Sequence, residues 1–254
     1  MTRLLTIRNA LIASILLAVI GFAFLRGSFA DRRSLVASAI QFVPPPPPDL
    51  GEPSGRPEGG GSRGCDAIAL VPQTTVGQWG QTTEAHPTFW FRLAVGRNLT
   101  SGDRLAFKLM DETNQVVYQS EFAAPAVAPG VVKFALPNST PALQVNQLYR
   151  WEFSIRCDAA TIEDIPGLVQ GSIQRVELSE AIANTLTTPT APLDRAKLYA
   201  SQGIWYDAMT TLGNELQPSN SPNPEIQTAW NRLLVQINLS NLESVPLVSC
   251  CSTR

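Results

Sequence analysis

The sequence contains few of the residues and motifs on which enzyme chemistry usually depends. It has one histidine, His86, and its four cysteines form no CxxC or Cys/His pair with the spacing of a metal site. It also lacks a GxSxG nucleophile elbow, a phosphate-binding glycine loop after a strand, and a twelve-residue calcium loop. We therefore expect no metal, no cofactor and no serine-hydrolase triad.

Basic residues are too few to form a nucleic-acid-binding face. Lys and Arg number 19 against 21 Asp and Glu, and no basic cluster stands out. Residues 1–30 carry three arginines and no acid, so without them the net charge falls from -2 to about -5. Because nucleic-acid-binding proteins concentrate Lys and Arg on one face, this charge argues against nucleic acid as a partner.

The first thirty residues have the order of an export signal. Arg3 and Arg8 precede an uncharged apolar stretch at 9–25, and small residues follow, ending at Ala30. This order predicts a signal peptide over residues 1–30, and hence export to the periplasm, outer envelope or extracellular space. Because about 17 apolar residues can just span a bilayer, the alternative is an uncleaved transmembrane anchor. In that case we expect this segment to be the part of the protein that contacts the membrane.

Residues 31–64 have the composition of a linker. Pro44 to Pro48 form an uninterrupted proline run, which favours an extended polyproline II conformation. The segment 51–64 is rich in Gly, Pro and Arg and has little apolar surface to bury. We expect a disordered spacer between the leader and the first folded domain.

Short β-branched or aromatic runs bounded by turn residues follow, from Cys65 to about residue 178. Six runs are expected to form strands: Thr88–Leu93, Leu105–Met110, Val116–Phe122, Val131–Leu136, Tyr149–Cys157 and Leu168–Val176. Because no helical period interrupts them, residues 65–178 are predicted to form an antiparallel, immunoglobulin-like β-sandwich of about seven strands. The immunoglobulin signature is incomplete, because Ile155 stands where the tyrosine corner needs Tyr.

The apolar period becomes helical after Pro192. The pattern predicts a helix, a turn at Gly203, a second helix over 204–212, a Pro-rich loop and a third helix over 225–239. This arrangement is similar to one and a half tetratricopeptide (TPR) units, of which about three are needed to fold alone. Residues 179–245 are therefore predicted to form a small TPR-like helical cap, followed by a cysteine-containing tail at 246–254. The predicted fold class is α+β, mainly β.

Four cysteines, Cys65, Cys157, Cys250 and Cys251, are candidates for disulfide bonds in an exported protein. Apolar residues alternate with polar ones over Tyr149–Cys157, which places Cys157 on the buried face. A bridge from Cys157 to Cys65 closes a loop of about 90 residues. The alternative joins one tail cysteine to Cys65 and the other to Cys157, because adjacent cysteines cannot easily bond to each other.

Two groups of residues are candidates for function. His86, with Glu84 beside it, is a candidate for proton transfer, and the ordinary alternative is a turn histidine that hydrogen-bonds to the backbone. An exposed Trp can stack on a sugar or anchor a partner, and burial is the alternative. The candidate binding surface consists of Trp79, in a turn-rich segment, with Trp90, Trp205 and Tyr206.

Several segments form a recognisable combination. They are Glu58–Cys65, Glu84–Phe91, Tyr149–Ile155, Ile173–Val176, Leu198–Ala200 and Gly203–Ala208, together with the closing cysteine pair. Over roughly residues 42–251 the chain resembles the domain of unknown function 928 family, found mainly in cyanobacteria. The resemblance implies an exported protein and brings no established activity and no functional residues.

These observations predict an exported protein of the cell envelope that is not an enzyme and that acts by binding. The expected partner is an envelope or secreted protein, contacted through Trp79 or the helical cap. One alternative is a hydrolase of envelope polymers that uses His86 and Glu84. Another is a carbohydrate-binding module that stacks sugars on exposed Trp side chains.

Overall fold

The computed structural model describes residues 39–48, 65–124, 130–157, 167–187, 190–217 and 223–249. The leader at 1–30, linker residues 31–38 and 49–64, and the tail cysteines Cys250 and Cys251 lie outside the described residues. Within the described ranges, no helix combines the length and the apolar character needed to cross a bilayer. The strands and helices named below belong to the unit Ile40–Arg254, which has an α+β fold that is mainly β.

The described residues contain nine strands. They are β1 (Cys65–Ala69), β2 (Gln73–Thr74), β3 (Gly77–Thr82), β4 (Thr88–Val95), β5 (Arg104–Met110), β6 (Val116–Ala123), β7 (Val131–Ala135), β8 (Leu148–Arg156) and β9 (Gly167–Arg175). All six predicted strands are present, and their ends differ from the prediction by at most two residues. The sequence pattern does not predict β1, β2 or β3. In β3, glycines and polar residues give Gly77–Thr82 the composition of a turn.

The strands form two sheets. The smaller has three strands in the order β1-β4-β7, and the larger has six in the order β2-β3-β9-β8-β5-β6. Neighbouring strands are antiparallel except β3 and β9, which pair in parallel from Trp79↔Ser172 to Thr82↔Arg175. The prediction of a wholly antiparallel fold is wrong at this pair. Most of the chain between β3 and β9 acts as the crossover connection that parallel strands require.

An aromatic core lies between the two sheets. Phe91 of β4 stacks on Phe153 of β8 with 4.0 Å between ring centroids, and Phe89 of β4 lies 4.8 Å from Phe107 of β5. All four rings are fully buried. Because Phe89 and Phe91 alternate with polar or outward positions along β4, both lie on the face that meets the larger sheet. Each buried ring stabilises the fold by roughly 2 kcal/mol.

A disulfide bond joins Cys65 to Cys157, with the two Cα atoms 5.9 Å apart. Cys65 begins β1 in the smaller sheet, and Cys157 follows β8 in the larger sheet, so the bridge connects the sheets. This confirms the direct pairing and shows that the alternative, in which each bonds to a tail cysteine, is wrong. The alternating burial of Leu148–Arg156 explains the result, because it brings Cys157 to the edge of the core beside Cys65.

Four α-helices are described: α1 (Glu180–Thr187), α2 (Pro192–Ser201), α3 (Trp205–Leu216) and α4 (Pro224–Gln236), followed by a short 3-10 helix, Ser240–Leu242. Helices α2 to α4 follow the predicted order, and α1 is not predicted by the sequence pattern. Pro192 and Pro224 stand in the first turn, where a missing N–H group is tolerated. Gly203 adopts a φ of 78° in the turn between α2 and α3, a backbone conformation that glycine accepts without strain.

Helix α3 is the most deeply buried of these helices. The indole N–H of Trp205 donates to the carbonyl oxygen of Leu70, just after β1, at 2.8 Å. The hydroxyl group of Tyr206 accepts from the indole N–H of Trp151 in β8 at 2.9 Å, and burial raises the pKa of Tyr206. These contacts attach α3 to both sheets.

Residues 39–48, which we call the strap, differ from the expected disordered spacer. Ile40 is 4% exposed and Phe42 is 9% exposed. The Phe42 ring meets Trp205 edge-on at 4.8 Å between centroids, and the Val43 N–H group donates to the Ala200 carbonyl at 3.0 Å. The prediction is wrong here because it follows from the proline and glycine content of the linker. The strap instead packs on the helices through two apolar side chains, Ile40 and Phe42, which precede the proline run.

Candidate functional site

The four aromatic residues predicted to form a binding surface are buried instead. Trp205 is 0% exposed, and Trp79, Trp90 and Tyr206 are each 2% exposed. Trp79 belongs to strand β3, and Trp90 lies between α3 and the Trp230 ring of α4, at 5.3 Å between centroids. The prediction is wrong because the helices cover the sheet face on which Trp90 lies. Because these side chains are buried, they cannot stack on a sugar as the carbohydrate-binding alternative requires.

A polar cleft of about 410 Å³ lies between helices α2 and α3 and the loop that joins β3 to β4. Its lining residues are Glu84, His86, Thr88, Pro192, Arg195, Tyr199, Asp207, Thr210, Thr211, Asn214 and Glu215. The volume lies within the range of ligand sites, about 300 to 1,000 Å³. The cleft therefore brings the predicted pair, Glu84 and His86, together with three residues that no sequence motif marks: Arg195, Tyr199 and Asp207.

His86 makes a hydrogen bond to the backbone at the edge of this cleft. Its Nε2 atom lies 2.9 Å from the carbonyl oxygen of Thr140. Because a carbonyl oxygen can only accept, Nε2 carries the proton and donates it to this bond. This is the ordinary alternative for a turn histidine, and it holds the ring in one orientation.

The loop between β3 and β4, residues 83–87, is held in place by its neighbours. Arg175 Nε donates to the Thr83 carbonyl oxygen at 3.1 Å. The Leu143 N–H group donates to the Ala85 carbonyl oxygen at 3.0 Å. Because the backbone is tied at both points, this wall of the cleft is formed before any ligand binds.

Asp207, in the first turn of α3, is a buried acid that lines the cleft. It is 5% exposed. Its Oδ1 atom accepts from the Thr82 hydroxyl group at 2.5 Å, and Oδ2 accepts from the Thr83 N–H group at 2.8 Å and the Thr83 hydroxyl group at 2.5 Å. These bonds tie the start of α3 to the end of β3. A carboxylate in the first turn also interacts favourably with the helix dipole.

Burial raises the pKa of Asp207 from 3.8 to about 6. The hydrogen bonds from Thr82 and Thr83 act in the opposite direction, and the charge of Glu84 raises the pKa further. Burial also raises the pKa of Tyr199, and the Asp207 charge adds to this effect. The cleft therefore holds an acid that titrates near neutral pH.

We expect Asp207 to make the protein less stable as the pH rises from about 4 to about 6. Its pKa in the folded state, about 6, lies above the ordinary 3.8, so in this window the folded state binds more protons than the unfolded state. Two pKa units correspond to about 3 kcal/mol of unfolding free energy, lost by pH 6 and constant above it. Urea denaturation of the wild type and Asp207→Asn at about pH 4, 5 and 7 measures the difference. The same pH dependence in both proteins would contradict the prediction.

Arg195 and Tyr199 stand one turn apart on α2 and line the same side of the cleft. The Nε–H group of Arg195 is buried and has no hydrogen-bond acceptor among the described residues. Leaving such a donor unpaired costs about 1 to 3 kcal/mol. An oxygen atom of a ligand or of water would satisfy it.

The cleft offers donors and acceptors of hydrogen bonds, and not a set of metal ligands. In the part of the chain that the structure describes, no three His, Cys, Asp or Glu side chains are placed to hold a metal ion. Thr88, Thr210 and Thr211 provide hydroxyl groups, and Asn214 provides an amide group. This mixture suits a polar ligand that is rich in oxygen.

The sequence does contain a signal for Asp207. It interrupts the apolar run Ile204–Met209, in which Trp205, Tyr206, Ala208 and Met209 are all buried. An acid on a helix that is apolar on most faces must find hydrogen-bond partners inside the fold. Arg195 gives no such signal, because arginine is ordinary on a partly exposed helix such as α2.

A comparison with protein families matches residues 58–247 to the description Domain of Unknown Function (DUF928). The chain belongs to this family. The match includes all nine strands, the four helices and every residue that lines the cleft. This confirms the resemblance found in the sequence. No curated protein matches the chain.

Solved structures with some likeness to the chain include the C-terminal domain of Wzt, 11% identical, covering 50% of this chain and 84% of that one, with a TM-score of 0.29. The β-glucuronidase of Parabacteroides merdae is 8% identical, covering 73% of this chain and 34% of that one, with a TM-score of 0.26. The same enzyme with glycerol in its active site is 8% identical, covering 64% and 31%, with a TM-score of 0.24. The chain thus spans about a third of the glucuronidase. TM-scores of this size carry no argument about fold or activity.

Proposed function

We propose that this protein is an exported, non-catalytic binding protein of the cell envelope, and that the polar cleft binds its ligand. The observation that carries the proposal is Arg195, which lines a cleft of about 410 Å³ and whose buried Nε–H group has no acceptor among the described residues. Buried donors are normally paired, so a ligand oxygen is a natural partner for this group. We expect that oxygen to belong to a carboxylate or carbonyl group of an envelope or secreted protein.

Export is supported by the disulfide bond between Cys65 and Cys157. Disulfides persist in oxidising compartments such as the periplasm and are rare in the cytosol. The basic, apolar and small-residue order of residues 1–30 points to the same route. The two observations are independent, because one depends on the folded domain and the other on the leader.

Non-catalytic binding is supported by the hydrogen bonds of Asp207 and His86. Both carboxylate oxygens of Asp207 accept bonds from Thr82 and Thr83, and His86 donates to a backbone carbonyl. A general acid or base must reach the substrate with the atom that carries the proton. Both carboxylate oxygens of Asp207 and the Nε2 atom of His86 are already engaged within the protein.

The variant Arg195→Met is expected to reduce capture of the envelope partner about tenfold or more, because a charged hydrogen bond is lost at the site. The probe is the detergent-solubilised envelope fraction of the host, incubated with the tagged protein, with bound proteins quantified by mass spectrometry. Arg232→Met is the matched control, since Arg232 is exposed on α4 and does not line the cleft. If Arg195→Met captures the same partners in the same amounts as the wild type, the cleft is not the binding site.

A hydrolase of envelope polymers is the second candidate, because Glu84, His86 and Asp207 line one cleft. The raised pKa of Asp207, about 6, lies where general acids operate near neutral pH. The test is incubation of the purified protein with isolated cell-wall polymers, followed by measurement of released fragments. Release by the wild type that is lost in His86→Ala would replace the binding proposal with a catalytic one.

We further propose that the two sheets form an immunoglobulin-like sandwich and that α2 to α4 form a TPR-like cap. The aromatic core and the Cys65–Cys157 bridge between the sheets support the sandwich. The helical hairpin of α2 and α3 about Gly203, followed by α4, supports the cap. In this arrangement the cleft lies where the cap meets the loop between β3 and β4.

A further inference from the structure

The strap occupies a groove across the ends of three helices. Its Ile40 and Phe42 side chains are buried, while Gln41 is exposed and Val43 is 50% exposed. This alternation is that of an extended segment with one face against the helices. The strap is therefore held in the manner of a bound peptide, although it belongs to the same chain.

Backbone and side-chain contacts define what the groove recognises. The Phe42 N–H group donates to Gln236 Oε1 of α4 at 2.8 Å, and Gln236 Nε2 donates to the Ile40 carbonyl oxygen at 3.4 Å. On the other edge, the Val43 N–H group donates to the Ala200 carbonyl oxygen of α2 at 3.0 Å. A single glutamine thus pairs with both a donor and an acceptor of the strap backbone, as in peptide recognition by main-chain bonding.

Gly203 provides space for the proline that follows. A Cβ atom at Gly203 would lie 2.8 Å from Pro45 Cδ and 3.0 Å from the Val43 carbonyl oxygen. The groove therefore recognises the apolar side chains of Ile40 and Phe42 and the ring of Pro45. The proline run that begins at Pro44 favours the extended form before docking, which reduces the entropy lost on binding.

We propose that this groove is a peptide-docking site and that it accepts the strap of a second copy of the chain, so that two copies pair by exchanging straps. Every copy carries both the groove and a segment that fits it, and a mutual exchange closes with twofold symmetry. Sixteen residues separate the strap from Cys65, and they can span at most about 55 Å. The strap makes the same contacts in an exchanged pair as it makes within one copy. The protein concentration therefore decides whether the monomer or the exchanged dimer predominates. The proposal does not depend on the polar cleft.

Two complementary full-length variants test the exchange. Phe42→Ala weakens the strap and leaves the groove intact. Gly203→Asn blocks the groove and leaves the strap intact, and asparagine tolerates the positive φ of this turn. Each variant alone should be a monomer, whereas a mixture at about 1 mM, the effective concentration given by a short linker, should form a one-to-one heterodimer. Light scattering after size exclusion, with a different tag on each variant, measures it.

Val43→Ala is the matched strap control, because this side chain is half exposed and should leave the pairing unchanged. If Gly203→Asn fails to fold, the Phe42→Ala chain is instead titrated with a synthetic peptide of residues 39–48, and binding is followed by tryptophan fluorescence. Phe42 lies edge-on to Trp205 at 4.8 Å, so docking should change the emission, and the same peptide with Phe42→Ala should not. A mixture that stays monomeric, or a peptide that does not bind at this concentration, overturns the proposal.

Discussion

Replacement of both Cys65 and Cys157 by serine is expected to lower the free energy of unfolding by about 4 to 5 kcal/mol. The bridge spans 92 residues of sequence, so its loss greatly increases the conformational freedom of the unfolded chain. It also disconnects the two sheets, because Cys65 starts β1 and Cys157 follows β8. Urea denaturation of the purified variant and of the wild type, under oxidising conditions, gives the difference.

The double variant Cys250→Ser and Cys251→Ser is the matched control, because it removes the same number of sulfur atoms and keeps the bridge between the sheets. We expect this control to unfold close to the wild-type midpoint. Reduction of the wild type should reproduce the loss seen in the Cys65 and Cys157 variant. A loss below about 1 kcal/mol in that variant would mean that the bridge contributes little to the fold.

Substitution of Gly213 by valine is expected to destabilise the protein by about 3 kcal/mol or more. Gly213 lies in α3 between the rings of Trp90 and Trp230, and a Cβ atom at this position would overlap the Trp90 ring. Both rings are buried in a shared contact between β4 and α4, so neither can move without opening the interface of helices and sheet. Thermal and urea denaturation measure the effect.

Gly96→Val is the matched control, since a Cβ atom at Gly96 meets no other atom within 4 Å. We expect this control to change the unfolding free energy by less than about 0.5 kcal/mol. Tryptophan fluorescence adds a second measurement, because displacement of Trp90 and Trp230 exposes them to water. If the two glycine variants are equally stable, the close contact between α3 and Trp90 does not exist in solution.

Local patterns account for the elements that were predicted. Strand β8 alternates buried and half-exposed residues along its whole length, and this period of two is visible in the sequence. Helices α2 and α4 begin at Pro192 and Pro224, which are ordinary signals for a first helical turn. These features depend on neighbours within a few residues, so the chain displays them without its fold.

Long-range pairing accounts for the elements that were missed. Strand β3 has the composition of a turn and becomes a strand by pairing in parallel with β9, about 90 residues further along the chain. Trp90 alternates with Phe89 and Phe91 as expected for a strand, but the sequence does not show that α3 and α4 cover its face. For this reason the prediction that Trp90 belongs to an exposed binding surface is wrong.

By itself the sequence determined the family, the α+β class, the six predicted strands, the helical hairpin at Gly203 and the buried phase that carries Cys157. These properties follow from local periodicity, turn chemistry and conformity to a family pattern. Only the tertiary structure decided the pairing of Cys65 with Cys157, the burial of the tryptophans, the docking of the strap and the composition of the cleft. The cleft combines residues from β4, α2, α3 and a loop. These elements come together because their surfaces pack against one another in the tertiary structure, and no local sequence pattern specifies that packing.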